Sequence, residues 1–345
     1  MTGSTARFGA AGAGGRLRMP LWARELVRLA LLLLATSLLT FVLVGLSPTD
    51  PVQMNLGQAA YARMDAAQRA ALAEYWGAGT PVWERYLHWL GQALQGNLGE
   101  SLRFNAPVAS VVGERFANSF VLMLVSWVLS GIMGVVLGVI AGYTRGRAAD
   151  RAIRGWCYLL SSTPTFWLGL VALVVFAVRL GWFPLGFSVP IGVDAASVSW
   201  ADKLRHLVLP ALVLSVTGVA SIALHTREKV VEVLESDYVR FARTRGESAR
   251  EALMRHGLRN LVLPALTLEM ASIGEVFGGS VLVEQVFSYP GLGQAAVTAG
   301  LGGDAPLLVA IALVSAALVF GGNAVANLLY GVVDPRLREE VRHGA

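Results

Sequence analysis

Three glutamates in one apolar run are the residues of this sequence best placed to act on a solute. Glu269, Glu275 and Glu284 lie within residues 263–287, where most other side chains are apolar or small. A charged side chain at the middle of a bilayer costs about 2.5–3.5 kcal/mol on insertion scales, so it should face protein or a water-filled path. These carboxyl groups are therefore our candidates for a translocation path.

Glu275 is the strongest of the three candidates because of its depth. It follows Pro264 by 11 residues, which is about 16 Å along a helix and so near the midplane. A structural role is the alternative, with the carboxyl group hydrogen-bonded to Asn323 or Asn327 of a later run. At about 100° per residue Glu275 and Glu284 point to opposite sides of an ideal helix, so the three acids cannot share one face.

The sequence contains no pattern typical of a catalytic centre. No G-x-S-x-G elbow, H-E-x-x-H pair or paired aspartate motif falls within the apolar runs. A phosphate-binding P-loop needs a Gly-Lys pair, but the two lysines, Lys203 and Lys229, each follow an acidic residue. We expect no catalytic residue here, and any ATP that is used must be hydrolysed by another polypeptide.

Metal and redox sites also lack their usual residues. Cys157 is the single cysteine, which excludes an intramolecular disulfide and a cysteine-based zinc site. The five histidines are scattered and form no His-x-x-x-His pair. We therefore expect no metal site and no cofactor bound by this chain.

The elements that carry these residues are predicted to be membrane helices. With 55% hydrophobic and 15% charged residues, and a mean hydropathy of +0.58, the chain of 345 residues is too apolar for an ordinary soluble enzyme. A helix needs about 20 apolar residues to cross a bilayer. Six runs qualify, approximately 27–46, 119–141, 157–179, 207–225, 262–284 and 306–332.

The distribution of basic residues predicts the orientation of these helices. With both termini inside, the inner segments hold 20 of the 28 Lys and Arg residues, as the positive-inside rule requires. The same asymmetry explains the basic isoelectric point without nucleic acid. The predicted organisation is a flexible cytoplasmic tail (1–25), a first transmembrane helix (26–46), an extracytoplasmic segment (47–114), a five-helix core (115–333) with a cytoplasmic loop (226–261), and a cytoplasmic tail (334–345).

The loop 226–261 is predicted to form two short amphipathic helices divided by Gly246. Tyr238, Phe241 and Ala242 fall at helical spacing before this glycine. Such a hairpin could lie with its arginines against anionic lipid. It could equally be a docking surface for a soluble partner, and both readings remain open from the residues alone.

Several motifs resemble one transporter family. Arg240-Phe241-Ala242, Gly246 and Leu263-Pro264 are similar to the cytoplasmic loop of permease subunits of binding-protein-dependent ABC importers, although the Glu and first Ala of the E-A-A-x-x-x-G consensus are absent. The 18-residue separation of Gly246 from Pro264 resembles the dipeptide/oligopeptide/nickel branch. Further similar segments are GNLGESLRFNAPVASVVGERFANS (96–119), TPTFWLGL (163–170), VEQVFSYPGLGQ (283–294) and Asp334-Pro335-Arg336.

This resemblance implies an all-α polytopic membrane protein with six transmembrane helices and the type I ABC importer permease fold. It would be the first of two permeases that pair as a heterodimer in the bacterial cytoplasmic (inner) membrane. The implied partners are that second permease, two ATP-binding subunits that hold ATP and Mg, and an extracytoplasmic solute-binding protein. The residues implied to couple to the ATP-binding subunits are Tyr238, Phe241, Ala242, Gly246 and Pro264.

The implied solute is a peptide or a related small molecule such as a nickel complex. Glu284 corresponds to a glutamate typical of the branch, whereas Glu269 and Glu275 replace residues that are usually apolar or neutral there. An acidic lining would favour cationic solutes. The alternatives are an ion-coupled secondary transporter, which should show internal repeats, and a structural membrane scaffold, which would not need embedded glutamates.

Overall fold

The computed structural model describes residues 21–46, 58–75, 80–190, 192–193 and 197–333. Most of the predicted tail 1–25 and all of the tail 334–345, with Asp334-Pro335-Arg336, lie outside these residues. The side chain of Asn327, one of the two partners predicted for Glu275, also lies outside what the structure describes.

The described chain is almost entirely helical, which confirms the predicted all-α polytopic class. The first half contains α1 (Leu21–Gly45), α2 (Gln58–Arg63), α3 (Ala66–Tyr75), α4 (Val82–Ala93), the antiparallel pair β1 (Glu100–Ser101) and β2 (Ala106–Pro107), α5 (Val108–Tyr143), α6 (Ala148–Ser162) and α7 (Thr165–Ala172). The second half contains α8 (Trp200–Glu235), α9 (Asp237–Thr244), α10 (Ala249–Ala252), α11 (Leu258–Ala271), α12 (Ile273–Val286), α13 (Leu292–Gly302) and α14 (Ala305–Val333). The π-helical turns Leu173–Arg179 and Leu253–Gly257 continue α7 and α10.

Within the described residues, four helices are long and apolar enough to cross a membrane, namely α1, α5, α8 and α14. The number rises to six if each of two bent helix pairs is one span. The pair α6–α7 bends by 107° and the pair α11–α12 by 49°. The predicted runs 157–179 and 262–284 therefore each contain a bend.

Proline explains the sharper of the two bends. The residue before a proline avoids the helical region of backbone space, and Thr163 accordingly has φ −105° and ψ 127° ahead of Pro164. Pro210 and Pro264, in contrast, lie inside α8 and α11.

The long helices α5 and α8 form the centre of the bundle and touch through glycines. A Cβ added at Gly138 would lie 2.5 Å from Cβ of Thr226 and 2.6 Å from the carbonyl oxygen of Ala223. Gly134 meets Ile222 at 2.7 Å in the same way, so Gly134 and Gly138 form a small-residue contact between the two helices. Gly274 and Gly278 make no such contact within the described chain, since no atom lies within 4 Å of a Cβ at either position.

We call the end of the bundle formed by residues 142–156 and 226–261 the basic end, and the other end the opposite end. At the opposite end, the predicted extracytoplasmic segment contains α2 to α4 and the β1–β2 pair, and α5 already begins within it. Phe41, Tyr86, Trp89 and Val309 bury one another there. The buried carboxylate of Asp304 accepts hydrogen bonds from the Ser101 hydroxyl (2.6 Å) and the Arg103 backbone N–H (3.1 Å).

Candidate functional site

The helix α9 at the basic end has one buried and one exposed face. Val239 and Ala242 are buried in a cluster with Val230 and Val233 of α8, Ala252, Leu253 and Leu261. Tyr238 and Phe241 point the other way, with 42% and 65% of their surface exposed. Spacings of three residues explain both faces. Ala242 thus faces the loop's own core and does not lie on the exposed face with Tyr238 and Phe241.

Gly246 forms the turn between α9 and α10, as predicted. Its φ of +92° lies in the left-handed region that a Cβ disfavours. No atom lies within 4 Å of a Cβ built there, so the backbone angle and not crowding requires glycine. Pro264 lies farther on, inside α11, and does not join Tyr238 and Phe241 on the exposed face of α9.

A capping box begins the helix that follows this turn. The Ser248 hydroxyl accepts a hydrogen bond from the Glu251 backbone N–H at 3.2 Å. The Ser248 hydroxyl and backbone N–H both donate to Oε2 of Glu251, at 2.7 and 2.9 Å. These bonds hold the pKa of the Glu251 carboxyl below its usual value. The loop is therefore locally ordered after Gly246.

A buried ion pair fixes the basic end to the long helix α8. Asp150, at the start of α6, is fully buried. Arg227 of α8 donates to its two carboxylate oxygens at 2.6 and 3.0 Å, and the Gly146 backbone N–H donates at 2.9 Å. Arg154 approaches the same carboxylate at 3.2 Å. This bidentate geometry is typical of strong arginine–carboxylate pairs.

The bend between α11 and α12 lies beside Glu269, which is buried. The Ser130 hydroxyl of α5 donates to Oε1 of Glu269 at 2.8 Å, and no described group bonds to Oε2. The Trp127 indole N–H and the Ser272 hydroxyl both donate to the Glu269 backbone carbonyl, each at 2.8 Å. These bonds satisfy the carbonyl at the helix break, so Glu269 and its neighbours stabilise the bend.

Glu275 lies one turn beyond this bend and is exposed. It makes no hydrogen bond or ion pair with any residue that the structure describes. Gly278, Leu282 and Gln285 are also exposed and continue the same stripe of α12 at intervals of three and four residues. The exposed residues of α1 between positions 30 and 43 are all aliphatic. A stripe with Glu and Gln suits water or a protein partner better than lipid.

Glu284 is fully buried near the opposite end and holds the start of α13. The Gly293 and Gln294 backbone N–H groups donate to its Oε2 at 2.7 and 3.1 Å. The Ser119 hydroxyl donates to Oε1 at 2.6 Å. A Cβ at Gly291 would lie 2.3 Å from this carboxyl carbon. The structure therefore separates the three glutamates, with Glu269 and Glu284 buried at different helix contacts and Glu275 open.

Asp150 and Asp304 were not predicted as site residues, although both are fully buried. A sequence signal existed for Asp150, since it is the single acid among four arginines in residues 142–156. Asp304 gave a weaker signal because it lies at the start of an apolar run, where an aspartate can cap a helix. Its side chain does accept from the Leu307 backbone N–H at 3.2 Å.

Comparison with known proteins gives the family of this fold. Residues 134–339 match the family described as "Binding-protein-dependent transport system inner membrane component". This match contains α8, the turn at Gly246, the bend at Ser272 and the stripe of Glu275. It therefore covers most of the candidate site.

Relatives extend the similarity over a larger part of the chain. The oligopeptide transport system permease protein AppB of Bacillus subtilis is 36% identical over 309 residues, which are 89% of this chain and 95% of that protein. The di/tripeptide transport system permease protein DppB of Pseudomonas aeruginosa is 34% identical, with 92% of this chain and 98% of that protein covered. The glutathione transport system permease protein GsiC of Escherichia coli is 34% identical, with 91% of this chain and 97% of that protein covered. The chain therefore belongs to the family of binding-protein-dependent transport system inner membrane components, the multi-pass permeases of the bacterial inner membrane.

Proposed function

We propose that this chain is the permease subunit that forms half of a peptide path in an ATP-driven importer. The three relatives described above carry names of oligopeptide, di/tripeptide and glutathione permeases, and they align along at least 95% of their length. Peptides are thus the solute class with support, and a nickel complex stays a prediction. The secondary-transporter alternative has no support among these relatives.

The proposed assembly has two permeases, two ATP-binding subunits and an extracytoplasmic solute-binding protein. Family membership supports partners in general, because the family is described as binding-protein-dependent. We place the basic end in the cytoplasm, where its excess of arginine is favoured. ATP and Mg would then be held by the ATP-binding subunits below that end.

The exposed face of α9 is the proposed contact for an ATP-binding subunit. Its single strongest support is the position of Tyr238 and Phe241, two large side chains exposed above a buried base of Val239 and Ala242. Aromatic side chains on a rigid helix are typical anchors at protein interfaces. The Asp150–Arg227 pair and the valines of α8 would pass a displacement of α9 to the bundle.

This contact can be tested with Phe241→Ser in the reconstituted complex. Loss of an aromatic anchor costs about 2 kcal/mol, so we expect about 30-fold weaker binding of the ATP-binding subunits. Solute-stimulated ATP hydrolysis should fall with it. Met254→Ser is the matched control, because Met254 is an exposed apolar side chain of the same loop. Wild-type binding and coupling in Phe241→Ser would contradict the proposal.

The stripe of Glu275 on α12 is the proposed lining of the solute path. A carboxylate there would attract the amino terminus of a peptide, by about 1 kcal/mol in a fully hydrated path and more where water is excluded. Glu269 and Glu284, which are buried in helix contacts, are proposed to position α12 and α13 instead. Glu275 is thus the residue of the three that would bear on solute preference.

Uptake by proteoliposomes that contain Glu275→Gln tests this lining. We expect uptake of a peptide with a free amino terminus to fall about fivefold relative to its N-acetylated form, which corresponds to about 1 kcal/mol. Glu228→Gln removes an equal charge at an exposed position of the basic end and serves as the control. An unchanged ratio between the two peptides in Glu275→Gln would show that this carboxylate does not select the solute.

A further inference from the structure

A cleft at the basic end is lined by two arginines that no described carboxylate engages. Tyr143, Arg147, Leu234, Arg243 and Ala249 line a cavity of about 220 Å3. The guanidinium groups of Arg147 and Arg243 form no hydrogen bond or ion pair with any residue in the described part of the chain. The Tyr143 hydroxyl has no described partner either. The guanidinium groups of Arg147 and Arg243 and the Tyr143 hydroxyl therefore line this cavity without a described partner.

The acidic residues around the cleft are already paired with other groups. Glu235, next to Leu234, bonds to Arg145. Asp150 is held by Arg227, and Glu247 lies 3.9 Å from Arg255. These pairs leave the positive charge of Arg147 and Arg243 uncompensated, so the cleft should attract an anion.

The helices place this cleft where the apolar part of the bundle ends. Tyr143 is the last residue of α5, and Leu234 is in the last turn of α8. Both helices are long and apolar enough to cross a membrane. Tyrosine is enriched where hydrocarbon meets headgroups, so the cleft lies at headgroup level. Leu234 and Ala249 give it an apolar wall beside the two arginines.

Size and geometry select the class of anion. Sites for drug-sized ligands usually measure about 300–1,000 Å3, so a cavity of about 220 Å3 suits one phosphate-bearing headgroup better than a whole nucleotide. The planar fork of arginine matches phosphate oxygens bidentately. Basic pockets between transmembrane helices on the cytoplasmic side favour anionic lipid for the same reasons.

We propose that this cleft binds a phosphate group, carried either by an anionic lipid headgroup of the inner leaflet or by free phosphate. The inference rests on the proposed position of the basic end at the cytoplasmic membrane surface. The bound phosphate would join the end of α5 to α9, because Arg147 follows the first and Arg243 belongs to the second.

Binding can be measured on the full-length chain in detergent micelles by native mass spectrometry. The probes are phosphatidylglycerol, inorganic phosphate and a diacylglycerol that lacks phosphate. We expect retention of phosphatidylglycerol and none of diacylglycerol, and at least tenfold weaker retention in Arg147→Gln/Arg243→Gln, since charge-assisted bonds to phosphate are strong. Arg151→Gln is the control, because Arg151 is exposed in the nearby helix α6 and does not line the cleft.

Each outcome decides between sources or overturns the proposal. Displacement of the lipid by inorganic phosphate supports free phosphate as a ligand, whereas retention of the lipid at saturating phosphate supports the headgroup. Equal binding of all probes by the wild type and the double variant overturns the proposal. A second measurement uses the reconstituted complex: loss of the ATP-binding subunits from the double variant, without any change in lipid or phosphate binding, also overturns the proposal and assigns the cleft to a protein contact. The Phe241→Ser test is independent, so failure of one proposal is distinguishable from failure of the other.

Discussion

Replacement of Glu284 by alanine should loosen the start of α13 without unfolding the bundle. The substitution removes the acceptor of the Gly293 and Gln294 N–H groups and of the Ser119 hydroxyl. A buried donor left without a partner costs about 1–3 kcal/mol. The Gly293 N–H is buried, whereas the Gln294 N–H is only partly so and can regain a bond to water. We therefore expect a local loss of about 2–3 kcal/mol.

Hydrogen exchange of the full chain in micelles measures this loss where it occurs. A loss of about 2 kcal/mol in local stability corresponds to about 30-fold faster exchange of the Gly293 and Gln294 amides. Glu284→Gln keeps one acceptor oxygen in the same place, so its exchange should rise less than tenfold. The amides of α9 serve as an internal reference, because α9 lies at the other end of the bundle.

Two results would refute this reasoning. Unchanged exchange at Gly293 and Gln294 in Glu284→Ala would mean that the carboxylate does not hold α13. Equal damage from Glu284→Gln and Glu284→Ala would mean that the negative charge matters and not the acceptor oxygen. A charge role would return Glu284 to the candidates for the solute path.

Two further predictions concern the packing of α8. Asp150→Asn leaves the Arg227 guanidinium, 17% exposed, without its carboxylate, and we expect a loss of about 3 kcal/mol in the free energy of unfolding. In a double-mutant cycle measured by thermal unfolding, Asp150→Leu/Arg227→Met should lose less stability than the sum of Asp150→Leu and Arg227→Met, whereas simple additivity would contradict the pairing. Gly138→Ala places a Cβ 2.5 Å from Thr226 and should cost about 1–3 kcal/mol. Gly113→Ala on the same helix meets no atom within 4 Å and should be neutral or stabilising in the same assay.

The sequence predicts best those features that one residue or one run determines alone. The apolar runs of the long helices were predictable because a bilayer admits few other spanning structures. Gly246 was predictable because a turn between two amphipathic helices needs a left-handed residue, and its φ of +92° agrees. The contact at Gly134 and Gly138 agrees with their small size and their four-residue spacing.

Features that depend on distant residues were not predictable in this way. Ala242 has the spacing of Tyr238 and Phe241 but is buried, because Val239 and the valines of α8 decide which face of α9 packs. The role of Glu284 depends on a turn that returns Gly293 and Gln294 to its carboxylate. Glu269 became structural through Ser130, which is 139 residues away in sequence. No local pattern encodes such pairings.

The glycine contact between α5 and α8 also has a mechanical consequence. At Gly138 an added Cβ would lie 2.6 Å from the carbonyl oxygen of Ala223, and this close contact would oppose sliding of α5 along α8. With 36 residues, α8 is about 54 Å long, and α9 begins directly after its end. A force on Tyr238 and Phe241 would therefore tilt α8 together with α5. The bending that accompanies this tilt would occur at the two helix bends beside them, at Pro164 and at Ser272.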